Sequence, residues 1–132
     1  MSLQKLSTWW VLPLAALVVT ATFAAQVPSS ARLLVLLRDA SALAIVDPVA
    51  ETVIGWVPTV SDPHEVTAST DGKLAFVTSP SSGIAVIDLE SRTEVRRLDI
   101  DPRSEPHDVR FADGRLYFTA EGYKAIGRYD LA

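Results

Sequence analysis

Short apolar runs, each about six residues long and separated by turn-forming residues, follow one another along the chain after residue 31. Arg32 to Leu37 and Ala42 to Asp47 are two such runs. From Glu51 to Val57 the side chains alternate instead, with Thr52, Ile54 and Trp56 opposed to Val53, Gly55 and Val57. A period of two with many β-branched residues is typical of strands. Because no long stretch here has helical periodicity, the pattern predicts an all-β fold.

The elements repeat with a period near 42 residues. Pro106-His107 lies 43 residues after Pro63-His64, and Asp113-Gly114 lies 42 residues after Asp71-Gly72. An aspartate ends the equivalent apolar run of each repeat unit, at Asp47, Asp88 and Asp130. Repeats of this length are characteristic of β-propeller blades and related arrays.

The most complete unit, 63–100, predicts a four-stranded antiparallel meander. Its strands are expected at His64 to Ser69, Lys73 to Thr78, Gly83 to Asp88 and Thr93 to Ile100. Asp71-Gly72 predicts a two-residue type I′ hairpin, because these residue types tolerate the positive φ angles that the turn requires. Unit 32–57 has only the last three strands and unit 106–132 only the first three.

Over residues 32–132 the chain resembles the YVTN-family β-propeller repeat. The matching segments are Pro63-His64-Glu65-Val66, Asp71-Gly72, Phe76-Val77-Thr78-Ser79 and Ile84-Ala85-Val86-Ile87-Asp88. Phe76 and Ser79 depart from the tyrosine and asparagine of the naming motif. The resemblance implies four-stranded blades in an exported protein. It fixes no chemistry, because relatives include lactonase-like enzymes, quinoprotein-like and copper-enzyme propellers and binding proteins.

The number of repeats is too small for a ring. Propellers close with about four to eight blades, whereas residues 32–132 supply about two and a half. We therefore expect an incomplete ring, from a truncated longer propeller or from a subunit whose copies assemble. Open blade edges would permit self-association. The interrupted third unit favours truncation.

The first 25 residues have the pattern of a secretory signal peptide. Lys5 precedes an uncharged apolar run from Trp9 to Thr22, and small residues at Ala24 and Ala25 follow it. The run is short for a membrane span and contains Pro13, so we favour cleavage over an anchor. The sequence thus predicts a signal peptide (1–25), a linker (26–31) and an exported repeat domain, with membrane contact only if the N-terminal segment is not cleaved.

Charge and composition narrow the function further. The formal net charge of −4 argues against a nucleic-acid partner, which would need a basic patch. There is no cysteine, so burial and strand pairing must stabilise the exported chain. No serine, cysteine or phosphate-loop catalytic motif occurs, and the sequence implies no cofactor.

His64 and His107 are the two histidines of the chain and the candidate metal ligands. They head equivalent strands, where a propeller opens into its central channel, and neutral imidazole is a good transition-metal ligand. The alternative, which we favour, is that Pro-His is a structural element whose ring binds a loop carbonyl.

Other polar residues have structural explanations beside functional ones. The repeated aspartates favour turn formation over acid catalysis, since their carboxylates can accept from turn amides. One carboxylate per histidine, among Glu65, Glu105 and Asp108, could orient an imidazole; the alternative is that these carboxylates are solvated charges at the rim. The remaining candidates are a basic cluster expected at a solvated outer strand and a tryptophan expected to pack between blades: Arg92, Arg96, Arg97 and Trp56.

The sequence therefore predicts an exported propeller module that binds or scaffolds at the periplasm or cell surface. Its partner would be an unidentified protein or small molecule. The alternative is a lactonase-like hydrolase or a metal-dependent oxidoreductase with a histidine at the channel mouth. The residues do not decide whether the chain is an enzyme.

Overall fold

The computed structural model describes residues 31–131, which form ten β-strands and two short 3-10 helices. The strands are β1 (Leu33–Leu37), β2 (Ala42–Asp47), β3 (Thr52–Pro58), β4 (Val66–Ala68), β5 (Leu74–Ser79), β6 (Gly83–Asp88), β7 (Thr93–Arg97), β8 (Pro106–Ala112), β9 (Arg115–Ala120) and β10 (Ala125–Asp130). The 3-10 helices are Pro102–Ser104 and Glu121–Tyr123. No helix in this part of the chain is long and apolar enough to cross a membrane. The predicted signal peptide and residues 26–30 of the linker lie outside it.

The strands form three antiparallel sheets in which neighbours in sequence are neighbours in space. The first sheet has the order β1-β2-β3, the second β4-β5-β6-β7, and the third β10-β9-β8. The described strands do not close into a barrel or ring. The predicted all-β, antiparallel arrangement is therefore confirmed, including the four-stranded meander of the second sheet.

The second sheet is buried on both faces, because successive side chains of a strand point to opposite sides. Ala75, Val77 and Ile87 join a cluster with Leu43, Ile45 and Val57 of the first sheet. The residues next to them in sequence, such as Phe76 and Val86, point to the other face and pack against the third sheet. The second cluster formed there comprises Phe76, Ile84, Val86, Leu98, Val109, Leu116, Phe118 and Ala120. This two-sided burial explains why β5 and β6 are nearly continuous apolar runs.

Equivalent β-bulges interrupt the outer strand pair of the first and second sheets. Ile45 pairs with Gly55 and Val46 with Val53, so that Ile54 is the extra residue. The bulge turns Ile54 and Val57 toward the same core, whereas simple alternation would place them on opposite faces. Trp56 pairs with Ala44 on the opposite face of the first sheet and is 55% exposed, so it does not pack between the three described sheets. Its packing against a further blade stays a prediction.

The turn at Asp71-Gly72 also differs from its prediction. Ser69 N donates to Leu74 O, which leaves residues 70–73 in a four-residue loop where only Gly72 has positive φ, at 69°. The Asp71 carboxylate stabilises this longer loop by accepting from the Ser69 hydroxyl (2.6 Å) and the Lys73 amide (3.1 Å). The two-residue geometry occurs instead at Asp113-Gly114, where both φ angles are positive.

Candidate functional site

The two histidines lie at one end of the sheets, which we call the histidine end; the opposite end, with the Asp71-Gly72 and Asp113-Gly114 turns, is the Asp-Gly end. Each histidine follows a buried proline and a residue with positive φ, Asp62 at 53° and Glu105 at 48°. Such angles are uncommon outside glycine. The repeated backbone turn thus delivers both histidines to equivalent places.

The imidazole rings contact each other across the second and third sheets. His64 Nδ1 lies 2.6 Å from His107 Nε2, and the ring planes meet at 76° with their centroids 4.2 Å apart. One nitrogen therefore donates a proton and the other accepts it. Side-chain patterning predicted equivalent positions for these residues, but their direct hydrogen bond requires the stacking of the two sheets.

Asp62 and Arg38 extend this contact into a network of four side chains. Asp62 Oδ2 lies 3.3 Å from His64 Nε2, and its Oδ1 pairs with Arg38 Nε from the turn between β1 and β2. The hydrogen bond from Arg38 lowers the pKa of Asp62, whose carboxylate in turn raises the pKa of Arg38. Since an ionised carboxylate only accepts, His64 Nε2 is the donor.

The network sets the direction of the remaining proton. When both rings are neutral, His64 Nδ1 accepts from His107 Nε2–H, which leaves His107 Nδ1 as the acceptor nitrogen. No partner for His107 Nδ1 occurs among residues 31–131. This arrangement orients one imidazole nitrogen for a ligand, and it could hold a proton or a metal ion there.

A shared metal ion would need a different separation of the rings. Two nitrogens that each lie about 2.0–2.1 Å from one tetrahedral ion are about 3.3 Å apart, whereas these are 2.6 Å apart. Within residues 31–131 no group of three or more histidine, cysteine or acidic side chains is placed to hold a metal. The assignment of His64 and His107 as metal ligands stays a prediction.

Asp108, one of the predicted carboxylates near the histidines, has the environment of a solvated rim charge rather than that of an imidazole partner. Asp108 pairs with Arg110 (2.7 Å) and accepts from the Val109 amide. Asp62, which the sequence analysis did not single out, is the carboxylate that contacts His64. In sequence Asp62 lies only two residues before His64, which places it near the ring. Its pairing with Arg38, 24 residues away, arises from the packing of two sheets.

The threonines of the repeat were not predicted to have a role, yet they position both histidine segments. Thr78 Oγ1 accepts from the Glu65 amide at 3.2 Å, and Thr119 Oγ1 accepts from the Asp108 amide at 2.9 Å. The Thr78 hydroxyl also donates to the carbonyl of His107. Thr78 is fully buried. Its hydrogen bond to His107 joins the second and third sheets directly.

Two of the three repeated aspartates form turns, as the favoured interpretation predicted. Asp47 Oδ1 accepts from the amides of residues 49 and 50, and Asp88 Oδ1 accepts from those of residues 90 and 91. These hydrogen bonds lower the pKa of both carboxyl groups. Asp130 differs, because it pairs with Arg115 and Arg128.

The basic cluster of the second sheet separates into different environments. Arg97 pairs with Glu94 on the same strand at 2.8 Å, and Arg96 is exposed on β7, as expected for an outer strand. Arg92 instead extends toward the first sheet, where its side chain lies against Gly55. Spacing along the sequence did not distinguish Arg92 from its neighbours.

Comparison with known proteins relates the chain to a known fold. No protein-family model matches the sequence, and no curated protein matches it. Among solved structures, hydrazine synthase of Kuenenia stuttgartiensis is similar, with a TM-score of 0.62 and 18% sequence identity. The similarity covers 69% of this chain and 26% of that chain, so that the chain spans about a quarter of its length. At this identity the likeness shows the fold alone.

Proposed function

We propose that this chain is part of an exported β-propeller of the YVTN-repeat type, in which it serves as a binding or scaffolding module at the periplasm or cell surface. The observation that carries the proposal is the structural use of the repeated residues. Asp47 and Asp88 close equivalent turns, and Thr78 and Thr119 hold equivalent strands. Residues that bind the backbone at equivalent places in two of the three sheets explain the repeat without catalysis.

Face-to-face stacking of the sheets supports the propeller. The second sheet buries both faces between its neighbours, as an internal blade would. The ligand or partner would contact the histidine end, where loops of all three sheets come together and the Arg38–Asp62–His64–His107 network presents a polar surface. Binding residues commonly lie on loops that a rigid scaffold positions.

Export is tested with an enzyme reporter. Residues 1–31 joined to an alkaline phosphatase that lacks its own signal should give phosphatase activity in a bacterial host, because this reporter is active only after export. A matched fusion that begins at residue 26 should be inactive. Equal activity from both fusions, or none from the first, would show that the N-terminal segment does not direct export.

A metal-dependent enzyme is the second candidate, and the free Nδ1 of His107 is the observation that favours it. Calorimetric titration of the purified full chain with Zn²⁺ or Cu²⁺ separates the two functions. The binding-module proposal expects no stoichiometric site that depends on histidine. Stoichiometric metal binding that is lost in both His64→Ala and His107→Ala would overturn it in favour of the enzyme. The variant Arg96→Gln serves as a control, since it changes a distant exposed side chain.

A further inference from the structure

A cleft of about 510 Å³ lies between the first and second sheets at the Asp-Gly end, away from the histidines. Its floor is apolar and is formed by Leu34, Ile45, Ile54 and Leu89. Three basic side chains and one acidic side chain line its rim, namely Arg32, Lys73, Arg92 and Glu90. Small-molecule sites typically enclose about 300–1,000 Å³ with an apolar lining and a few polar groups.

The turn after β6 directs Arg92 into this cleft. Arg92 has a positive φ of 59°, and its amide donates to the carbonyl of Asp88 at 2.9 Å. A Cβ atom on Gly55 would stand only 3.0 Å from Cδ and from Nε of Arg92. The absence of a side chain at buried Gly55 therefore makes room for the guanidinium against β3.

The three cations of the rim differ in their acidic neighbours. Arg32 and Lys73 lie near Asp47 and Asp71, and their charges help to lower the pKa of these two carboxyl groups. Arg92 forms no ion pair within residues 31–131. Arg92 is therefore the cation of the rim that is available to a bound anion, with Glu90 as a further acid beside it.

We propose that this cleft binds an organic anion that has one carboxylate and a short apolar body. The planar guanidinium of Arg92 matches a carboxylate through two parallel hydrogen bonds. The apolar body would cover Leu34, Ile54 and Leu89, which are partly buried and pack at the edge of the core. Glu90 in the lining, and Asp47 and Asp71 beside the other two cations, disfavour a dianion such as a phosphate monoester. The site uses no residue of the histidine network and so goes beyond the proposed module.

Calorimetric titration of the purified full chain with three probes tests the proposal. Octanoate carries both features, acetate lacks the apolar body, and octan-1-ol lacks the charge. Octanoate should bind saturably, and each of the other probes should bind at least about tenfold more weakly, which is the effect of about 1.4 kcal/mol. No saturable binding of octanoate, or equal binding of octan-1-ol, would overturn the proposal.

Two variants test the role assigned to Arg92. Arg92→Gln removes the guanidinium, and Gly55→Ala displaces it without changing the charge of the protein. Both should weaken octanoate binding by about tenfold, as expected for loss of a charge-assisted hydrogen bond, while the circular dichroism spectrum is retained. Arg96→Gln removes the same charge outside the cleft and should leave the affinity unchanged. Unchanged affinity in both Arg92→Gln and Gly55→Ala would exclude the site.

A histidine variant separates this site from the proposed function. His64→Ala should leave octanoate binding at the wild-type value, because its ring belongs to the network at the opposite end of the sheets. A loss of octanoate binding in this variant would contradict the independence of the two sites.

Discussion

Thr78 is the residue on which the geometry of the histidine end depends most directly. Its buried hydroxyl accepts from the amide of Glu65 and donates to the carbonyl of His107, so one side chain connects β5 with the segments before β4 and within β8. A buried polar group that loses its partner costs more than the hydrogen bond contributed, because water cannot replace the partner.

Thr78→Val should therefore destabilise the fold by about 1–3 kcal/mol, since valine preserves the shape but leaves an amide and a carbonyl unpaired. Urea denaturation followed by circular dichroism measures the change. Thr119→Val is the matched control, because Thr119 is only partly buried and serves one amide. Equal losses in the two variants would show that the contact between sheets adds no stability.

At the scale of elements, paired strands compensate for each other's side-chain volumes. In the second sheet Val77 pairs with Ala85, whereas the equivalent pair of the third sheet is Phe118 and Gly127. The larger ring of Phe118 occupies the space over Gly127, where an added Cβ would stand 2.3 Å from the ring. Glycine in β10 is thus a consequence of phenylalanine in β9.

Gly127→Ala should destabilise the third sheet by about 1–3 kcal/mol through overpacking. The double variant Gly127→Ala/Phe118→Leu should lose less than the sum of the two single losses, because the smaller side chain leaves room for the new methyl group. Thermal and urea unfolding of all four proteins give this coupling. Strict additivity would mean that the ring does not cover Gly127. Arg128→Ala, at an exposed neighbour, should change stability by less than about 0.5 kcal/mol.

At the scale of the whole molecule, the two free sheet faces differ in character. The free face of the first sheet exposes apolar side chains, including Leu33 (52%), Val53 (47%) and Trp56 (55%). That of the third sheet carries ion pairs, of Asp108 with Arg110 and of Asp130 with Arg115. Exposed apolar patches mark surfaces that pack against another structure. We therefore expect self-association to involve the first sheet.

The variant Trp56→Ser should reduce self-association of the purified chain, as measured by sedimentation over a range of concentrations. Ile126→Ser is the matched control, because Ile126 is even more exposed, at 71%, but lies in the third sheet. A wild-type chain that is monomeric at every concentration, or an equal effect of the two substitutions, would contradict the assignment of the interacting face.

The sequence by itself determined which segments form strands, their order and the turns at Asp47 and Asp88, because these depend on local alternation and on residues close together in the chain. Ala42–Asp47 and Gly83–Asp88 have the predicted bounds. The four-residue turn at Asp71 was not predicted, since a side-chain hydrogen bond changed its geometry.

Tertiary structure alone decided which of these residues meet. The bulge at Ile54 places Ile54 in the core and Trp56 on the outward face of the first sheet, although strict alternation would put both on one face, because one extra residue reverses the side-chain alternation. The contact of His64 with His107, and that of Asp62 with Arg38, join residues 43 and 24 positions apart. Such contacts depend on how the three sheets stack, which the alternation within each strand does not encode.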